Sequence, residues 1–222
     1  MHVNITQYRF YFKRLVVPLS MLLKVHPVNP DPRHLNIIKE CLLDGGVIVY
    51  PTDTIYGLGC NIFQHKAIER IARIKHIDPQ KAQLSFVCYD LSDLSKYTKS
   101  IDTPLYRILK KYLPGPYTFI LPASKQVPKI LQSKKNTIGL RIPNNHIALS
   151  IVHQLAYPLL SASLPGEQVE EYTDPELIHE NFEKLVDIVV DGGIGGMVPS
   201  TVIDCTHDTY EIIRMGAGEW ME

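Results

Sequence analysis

Eight short apolar runs punctuate the chain, at residues 47–50, 84–88, 117–121, 137–142, 159–163, 186–190, 200–205 and 210–214, and each is too short for an ordinary helix. Helical spacing fills the intervals between several of them. Leu35, Ile38 and Leu42 fall on one helical face, and so do Ile68, Ile71 and Ile74 within residues 65–75. Residues 105–113, 147–155 and 174 to about 185 read the same way. Asp31-Pro32 and Asp174-Pro175 have the chemistry of an N-cap followed by proline in the first turn. Gly45-Gly46 and Pro114-Gly115-Pro116 stop their helices. The run Val47-Ile48-Val49-Tyr50 is apolar at every position, as a strand buried on both faces requires. With no internal repeat or linker, the pattern predicts one α/β domain (α+β in some schemes) on a mixed sheet.

The start of the chain needs separate treatment. Lys13 and Arg14 before an apolar stretch at 15–23 imitate a signal peptide, but Pro18 interrupts it and Lys24-Val25-His26 offers no cleavage site. Residues 1–20 are therefore expected to form an appendage or upstream extension, and residues 21–222 the domain, with Met21 a candidate start. No apolar run reaches the roughly 18 residues of a membrane span. Cys41, Cys60, Cys88 and Cys205 contain no C-x-x-C pair, so four reduced thiols in a cytoplasmic protein are expected, without zinc.

Charge is balanced overall, with 23 Lys+Arg against 23 Asp+Glu, but not along the chain. Residues 1–60 carry 6 basic and 4 acidic side chains, residues 61–141 carry 15 and 5, and residues 142–222 carry 2 and 14. The segments are thus +2, +10 and −12. Such a split fits an anionic partner on one side of the molecule, or equally two halves joined by a belt of ion pairs.

The densest polar cluster is Tyr50-Pro51-Thr52-Asp53-Thr54-Ile55-Tyr56-Gly57-Leu58-Gly59, directly after a predicted buried strand. Ligands of α/β folds sit at such strand ends. The same residues also suit a turn whose Thr and Asp satisfy their own backbone. Other strand ends are polar too. Arg141 closes one, Ser161 and Ser163 another, Ser200 opens a third, and Arg214 closes a fourth. A guanidinium beside buried strands needs an anion, either a ligand or one of the C-terminal carboxylates. Together with Lys75 at a helix end, the two arginines could make a phosphate site.

Several enzyme classes are excluded. There is no G-x-x-x-x-G-K-[ST] phosphate loop, no H-E-x-x-H and no G-x-S-x-G. Gly192-Gly193-Ile194-Gly195-Gly196 leads to a strand rather than a helix, so it fails as a dinucleotide fingerprint and is expected to be a mobile connection. His76 is expected to be a solvated helix-end residue.

Residues 45–60, Pro114 to Thr118, 137–143, Ser161 to Ser163, Ser200 to Asp204, and Arg214 to Gly216 together resemble the motifs of the YrdC/YciO-like family, in order, over about residues 25–218. The resemblance implies a twisted mixed open sheet with helices around a basic concave cleft. It further implies a threonylcarbamoyl-AMP synthase activity, in which L-threonine, bicarbonate and ATP give an acyl-adenylate for tRNA modification. Thr52 would hold L-threonine, with Thr118, Arg141, Ser161 and Ser200 around the threonine and carbamate. Lys75, Ser163 and Arg214 would face the nucleotide, and Lys75 and Arg141 would be catalytic. Mg2+ would be carried by the ATP phosphates, with no protein-bound metal. The family's Lys-x-Arg is Lys75-His76-Ile77 here, and its Ser-x-Asn is Ser163-Leu164-Pro165, which places the chain nearest the YciO branch. These departures motivate an alternative, a non-catalytic protein binding double-stranded RNA or tRNA.

Overall fold

The computed structural model describes residues 20–78, 84–132, 135–165, 172–207 and 209–221. Apart from Ser20, the expected appendage lies outside the described residues. Among the described residues there are ten strands and six α-helices. The strands are β1 Met21–Lys24, β2 Ile48–Tyr50, β3 Gly57–Asn61, β4 Ser85–Val87, β5 Tyr117–Pro122, β6 Thr137–Arg141, β7 Leu159–Ser163, β8 Ile188–Asp191, β9 Thr201–Asp204 and β10 Glu211–Arg214. The helices are α1 Pro32–Leu43, α2 His65–Ile74, α3 Leu91–Tyr97, α4 Thr103–Tyr112, α5 His146–Leu155 and α6 Pro175–Phe182.

The caps foreseen from the sequence are in place. Asp31 accepts the backbone N–H of Arg33 at 2.8 Å, and Asp174 that of Glu176 at 2.9 Å. Gly45 follows α1 with φ +83°, a left-handed conformation glycine adopts without steric cost. The last predicted helix stops at Phe182, where Leu185 and Val186 turn back onto the Phe182 carbonyl.

All ten strands join one open sheet in the order β1-β8-β2-β3-β7-β4-β6-β5-β9-β10. It is mixed, with parallel pairs such as β4–β6 and antiparallel ones such as β3–β7. Its two faces support separate cores. Val49, Leu58, Phe86, Phe119, Leu140 and Ile203 join the buried residues of α2, α3, α4 and α6. Ile48, Tyr50, Val87, Leu159 and Ile188 join α1 and α5.

Strand periodicity then explains the cleft. Side chains two apart share a face, so Ser161 and Ser163 lie on the same face as Leu159, and Ser85 on that of Val87. Helices α1 and α5 cover this face from β1 and β8 as far as Leu159 of β7 and Val87 of β4. The rest, from Ser161 and Ser85 across β6, β5 and β9, carries the polar residues and stays open.

Three elements are not apparent in the periodicity. β1 is a four-residue strand. β3 contains Gly57 and Gly59, which lower strand propensity, yet all five of its residues are buried between β2 and β7. α3 spans seven residues with only Leu94 and Tyr97 buried, too short to show a period. The glycine connection at 192–196, expected to be mobile, is instead tied down. Tyr56 donates to the Gly193 carbonyl at 2.7 Å and accepts from Gly192 N–H at 3.1 Å, while Gly195 N–H bonds Thr173 at 2.8 Å.

Candidate functional site

The open half of that face is the floor of a cavity of about 990 Å3. Thr52, Thr118, Arg141, Ser161, Ser163, Ser200 and Arg214 all line it, although they come from distant parts of the chain. Strand alternation supplies the floor: Thr118 and Ile120 from β5, Thr137, Gly139 and Arg141 from β6, Val202 and Asp204 from β9. Gly139 keeps the middle low, since a Cβ there would lie 3.2 Å from both Ser85 Cβ and Thr118 Cγ2. Lys75 is not among the lining residues. It caps α2 at the rim, where its Nζ donates to the Ser163 carbonyl at 2.6 Å and to Ser163 Oγ at 3.2 Å. Burial lowers the pKa of its ammonium. His76 is exposed, with φ +53° just past the helix end.

Arg141 does not pair with the acidic C-terminal segment. Its Nη2 lies 2.6 Å from Oδ1 of Asp53 and donates at 2.8 Å to Oγ1 of Thr54, both in the 50–59 cluster. Arg141 and Asp53 side chains are only 8% and 9% exposed. Thr52 behaves as a turn residue, its Oγ1 donating to the Ile55 carbonyl at 2.7 Å and accepting Thr54 N–H at 3.0 Å. The two readings of this cluster therefore divide within it: Thr52 satisfies the turn, and Asp53 reaches out of it.

On the opposite wall, Arg214 donates through Nε and Nη2 to the Ser200 carbonyl at 3.1 and 2.8 Å. Ser200 Oγ sits 2.9 Å from Thr118 Oγ1. Among the described residues no carboxylate pairs with Arg214. Its pKa is lowered by burial first and by the charge of Arg141 second, so Arg214 senses the Arg141 charge across the cavity. An anion between them would offset their charge repulsion.

Lys99, Lys135 and His207 add basic groups to the lining, with Asp204 its one carboxylate among the described residues. Lys99 and Lys135 belong to the +10 segment, which signalled them as a group without singling them out. Tyr50 and Asp53 were visible in the motif, but spacing carries no sign that one supports Ser161 and the other Arg141. Among the described residues no three His, Cys, Asp or Glu side chains group to hold a metal, and no helix is long and apolar enough to cross a membrane.

Comparison with known proteins gives concordant results. The Sua5/YciO/YrdC family, described as telomere recombination, matches residues 40–216. YciO of Escherichia coli (strain K12), an uncharacterized protein, is 45% identical over 204 residues, covering 90% of this chain and 98% of YciO. The E. coli YciO crystal structure superposes with a TM-score of 0.84 over the same share of each chain, at 44% identity. Threonylcarbamoyl-AMP synthase of Coxiella burnetii (strain RSA 493 / Nine Mile phase I) is 30% identical over 182 residues, covering 82% of this chain and 96% of that one. P. abyssi Sua5 complexed with L-threonine matches with a TM-score of 0.79 and 27% identity, over 89% of this chain and 58% of Sua5.

Proposed function

The chain belongs to the Sua5/YciO/YrdC family, and from that premise we propose that its cleft binds L-threonine and ATP and forms threonylcarbamoyl-adenylate from them with bicarbonate. The observation that carries this reading is the pair Arg141 and Arg214 on opposite walls of one cavity, beside the hydrogen-bonded hydroxyls of Thr118 and Ser200. The L-threonine complex of the related Sua5 supports threonine as the amino acid.

In this reading Arg141, with Thr118, Ser161, Ser200 and Thr52, holds the threonine and its carbamate. Lys75, Ser163 and Arg214 take the nucleotide. Attack of the carbamate oxygen on the α-phosphorus expels pyrophosphate, and the negative charge that builds on the phosphoryl oxygens must be stabilised by fixed positive groups. Magnesium would enter on the ATP phosphates and neutralise part of their charge. Removing one preorganised charged donor typically costs about 100–1,000-fold in rate. Arg141→Ala is the sharpest case.

The experiment is incubation with L-threonine, bicarbonate, Mg·ATP and pyrophosphatase. Adenylate should form, and Arg141→Ala should abolish it. No adenylate, together with an Arg141→Ala variant that responds to threonine and ATP in thermal shift as the parent does, would remove the reading.

A second reading rests on a specific observation. Where the family's Lys-x-Arg and Ser-x-Asn place an arginine and an asparagine, this chain has Ile77, packed against the core, and Pro165. A cleft that keeps Lys99 and Lys135 while lacking those groups suits phosphate-backbone binding to double-stranded RNA or tRNA without catalysis. Such binding would weaken steeply between low and moderate salt, and RNA affinity that ignores salt would reject it.

A further inference from the structure

Asp53 does not line the cavity, yet it is the group that fixes a residue that does. Its Oδ1 takes Nη2 of Arg141 at 2.6 Å, and its Oδ2 accepts the backbone N–H of Asn144 at 3.0 Å. Asn144 immediately precedes Asn145, the N-cap of α5. One carboxylate therefore joins three things: the turn after β2, the last residue of β6, and the entry to α5. Thr54 holds the same Nη2 from a second direction at 2.8 Å.

The pair is incomplete as a purely structural ion pair. A buried guanidinium serving only as a strut would be expected to satisfy its donors, because an unpaired buried group costs free energy. Here Nε of Arg141 is buried and has no partner. The bonds from Asp53 and Thr54 both fall on Nη2. The guanidinium is thus held in one orientation at the expense of one of its own hydrogen bonds, on the wall of a cavity shared with Arg214.

Charge points the same way. The charge of Arg141 works against the protonated form of Arg214. Asp53 compensates Arg141 from behind, leaving the cavity side free of carboxylate near that wall.

We propose that Asp53 is a positioning residue, which locks the Arg141 guanidinium in the orientation that receives the planar anionic end of the substrate, the carboxylate or carbamate of the amino acid. The assignment of that anion rests on the synthase reading above; the locking does not. Recognition of a planar anion by a guanidinium is directional, and misplacement of a positioned group by about 1 Å can cost on the order of 100-fold. Asp53→Asn keeps the shape and removes the charge. Asp53→Glu keeps the charge and moves it outward by one methylene.

The test uses the full chain with two readouts. The first is the 15N-arginine spectrum without ligand, with the Arg141 Nε–H signal identified by its loss in Arg141→Lys. In the parent this proton should exchange slowly with solvent, and in Asp53→Asn at least about 10-fold faster as the buried lock opens. The second is L-threonine affinity by calorimetry, expected to fall about 10–100-fold in Asp53→Asn and less in Asp53→Glu. If Asp53→Asn does not fold, Asp53→Glu carries both measurements. Unchanged Nε exchange overturns the proposal whatever happens to threonine. Faster exchange in a series whose parent does not bind threonine supports the lock and overturns the substrate reading alone.

Discussion

Tyr50 and Ser161 stand on strands separated by a third, and the phenol of Tyr50 donates to the hydroxyl of Ser161 at 2.7 Å. Between them runs β3, where Gly57 pairs with Tyr50 on one side and Ser163 on the other, and Gly59 with Ile48 and Ser161. The Tyr50 ring lies over these glycines. A Cβ on Gly59 would be 2.8 Å from Tyr50 Cε1, whereas one on Gly57 would be 3.4 Å from Ser161 Oγ and 3.6 Å from the same ring carbon. Burial pushes the phenol's pKa up to about 12, so it remains a donor at neutral pH. Ser161 Oγ receives that proton and keeps its own to offer to the cavity.

Tyr50→Phe should therefore leave the fold intact while freeing Ser161. Loss of one buried hydrogen bond costs about 1 kcal/mol, which in a chain of this length lowers Tm by about 2–4 °C. Threonine affinity should fall about 3–10-fold, within the range of a single hydrogen bond. Because Tyr50 acts through Ser161, the effects of Tyr50→Phe and Ser161→Ala on affinity should not add. Additive losses in a double-mutant cycle would show that the two hydroxyls act separately.

The same ring separates the two glycines. Gly59→Ala would force Tyr50 to shift, and overpacking of this kind costs about 1–3 kcal/mol. Gly57→Ala meets ordinary contact distances and should cost less. Urea unfolding of both variants would check the order, and equal losses would mean that strand propensity, not the ring, sets the requirement for glycine.

The legibility of this molecule follows from which interactions are local. Helices α1 and α2 and strand β2 were readable because one element's own residues carry the signal, as in Ile68, Ile71 and Ile74. Strand β3 was not, since its glycines make sense only beneath a side chain from β2. Seven of the eight expected site residues meet in one cavity, and Lys75 reaches its rim through Ser163. Their order along the chain matches a family pattern, but composition does not point to the partner of Arg141. Among 23 acidic residues, 14 lie after residue 141, so composition favoured a C-terminal partner. Register and the turn after β2 instead bring in Asp53.

The cysteines allow a test of burial against pH. Cys41, Cys60, Cys88 and Cys205 are all free, and burial is the leading cause that raises each thiol pKa, to about 12 for Cys41 and Cys205. At pH 8 almost no thiolate exists in the native protein, so a disulfide reagent should react slowly with all four and fully only in denaturant. The linkage has a definite sign. Below the unfolded thiol pKa near 9.0 the contribution to stability is complete. Above it the unfolded chain ionises first, so stability should fall progressively as pH rises from about 9 towards 12. Reaction at the rate of a free cysteine at pH 8 would contradict the burial of Cys60, Cys88 or Cys205, while half-buried Cys41 should be the fastest of the four.

One hydroxyl makes three of the hydrogen bonds that hold the C-terminal segment. Thr201, fully buried at the start of β9, donates to the Gly218 carbonyl at 2.6 Å and accepts the N–H groups of Gly216 and Gly218 at 2.9 and 3.1 Å. Beyond it, Tyr117 and Tyr112 donate to the carbonyls of Glu219 and Met221, and Trp220 stacks on Tyr112 at 4.7 Å. Thr201→Val keeps the volume and removes all three bonds, at about 1–3 kcal/mol for each group left unsatisfied and buried. The tail can avoid most of that cost by peeling away, which separates Trp220 from Tyr112. Trp220 is the only tryptophan in the chain, so its fluorescence reports this event directly. Thr201→Val should red-shift the emission and increase acrylamide quenching well below the global unfolding midpoint. Because Ser200 precedes Thr201 and accepts both Arg214 donors, nucleotide binding should weaken in parallel. If stability fell while Trp220 kept its native emission, the hydroxyl would be supporting the sheet rather than the tail.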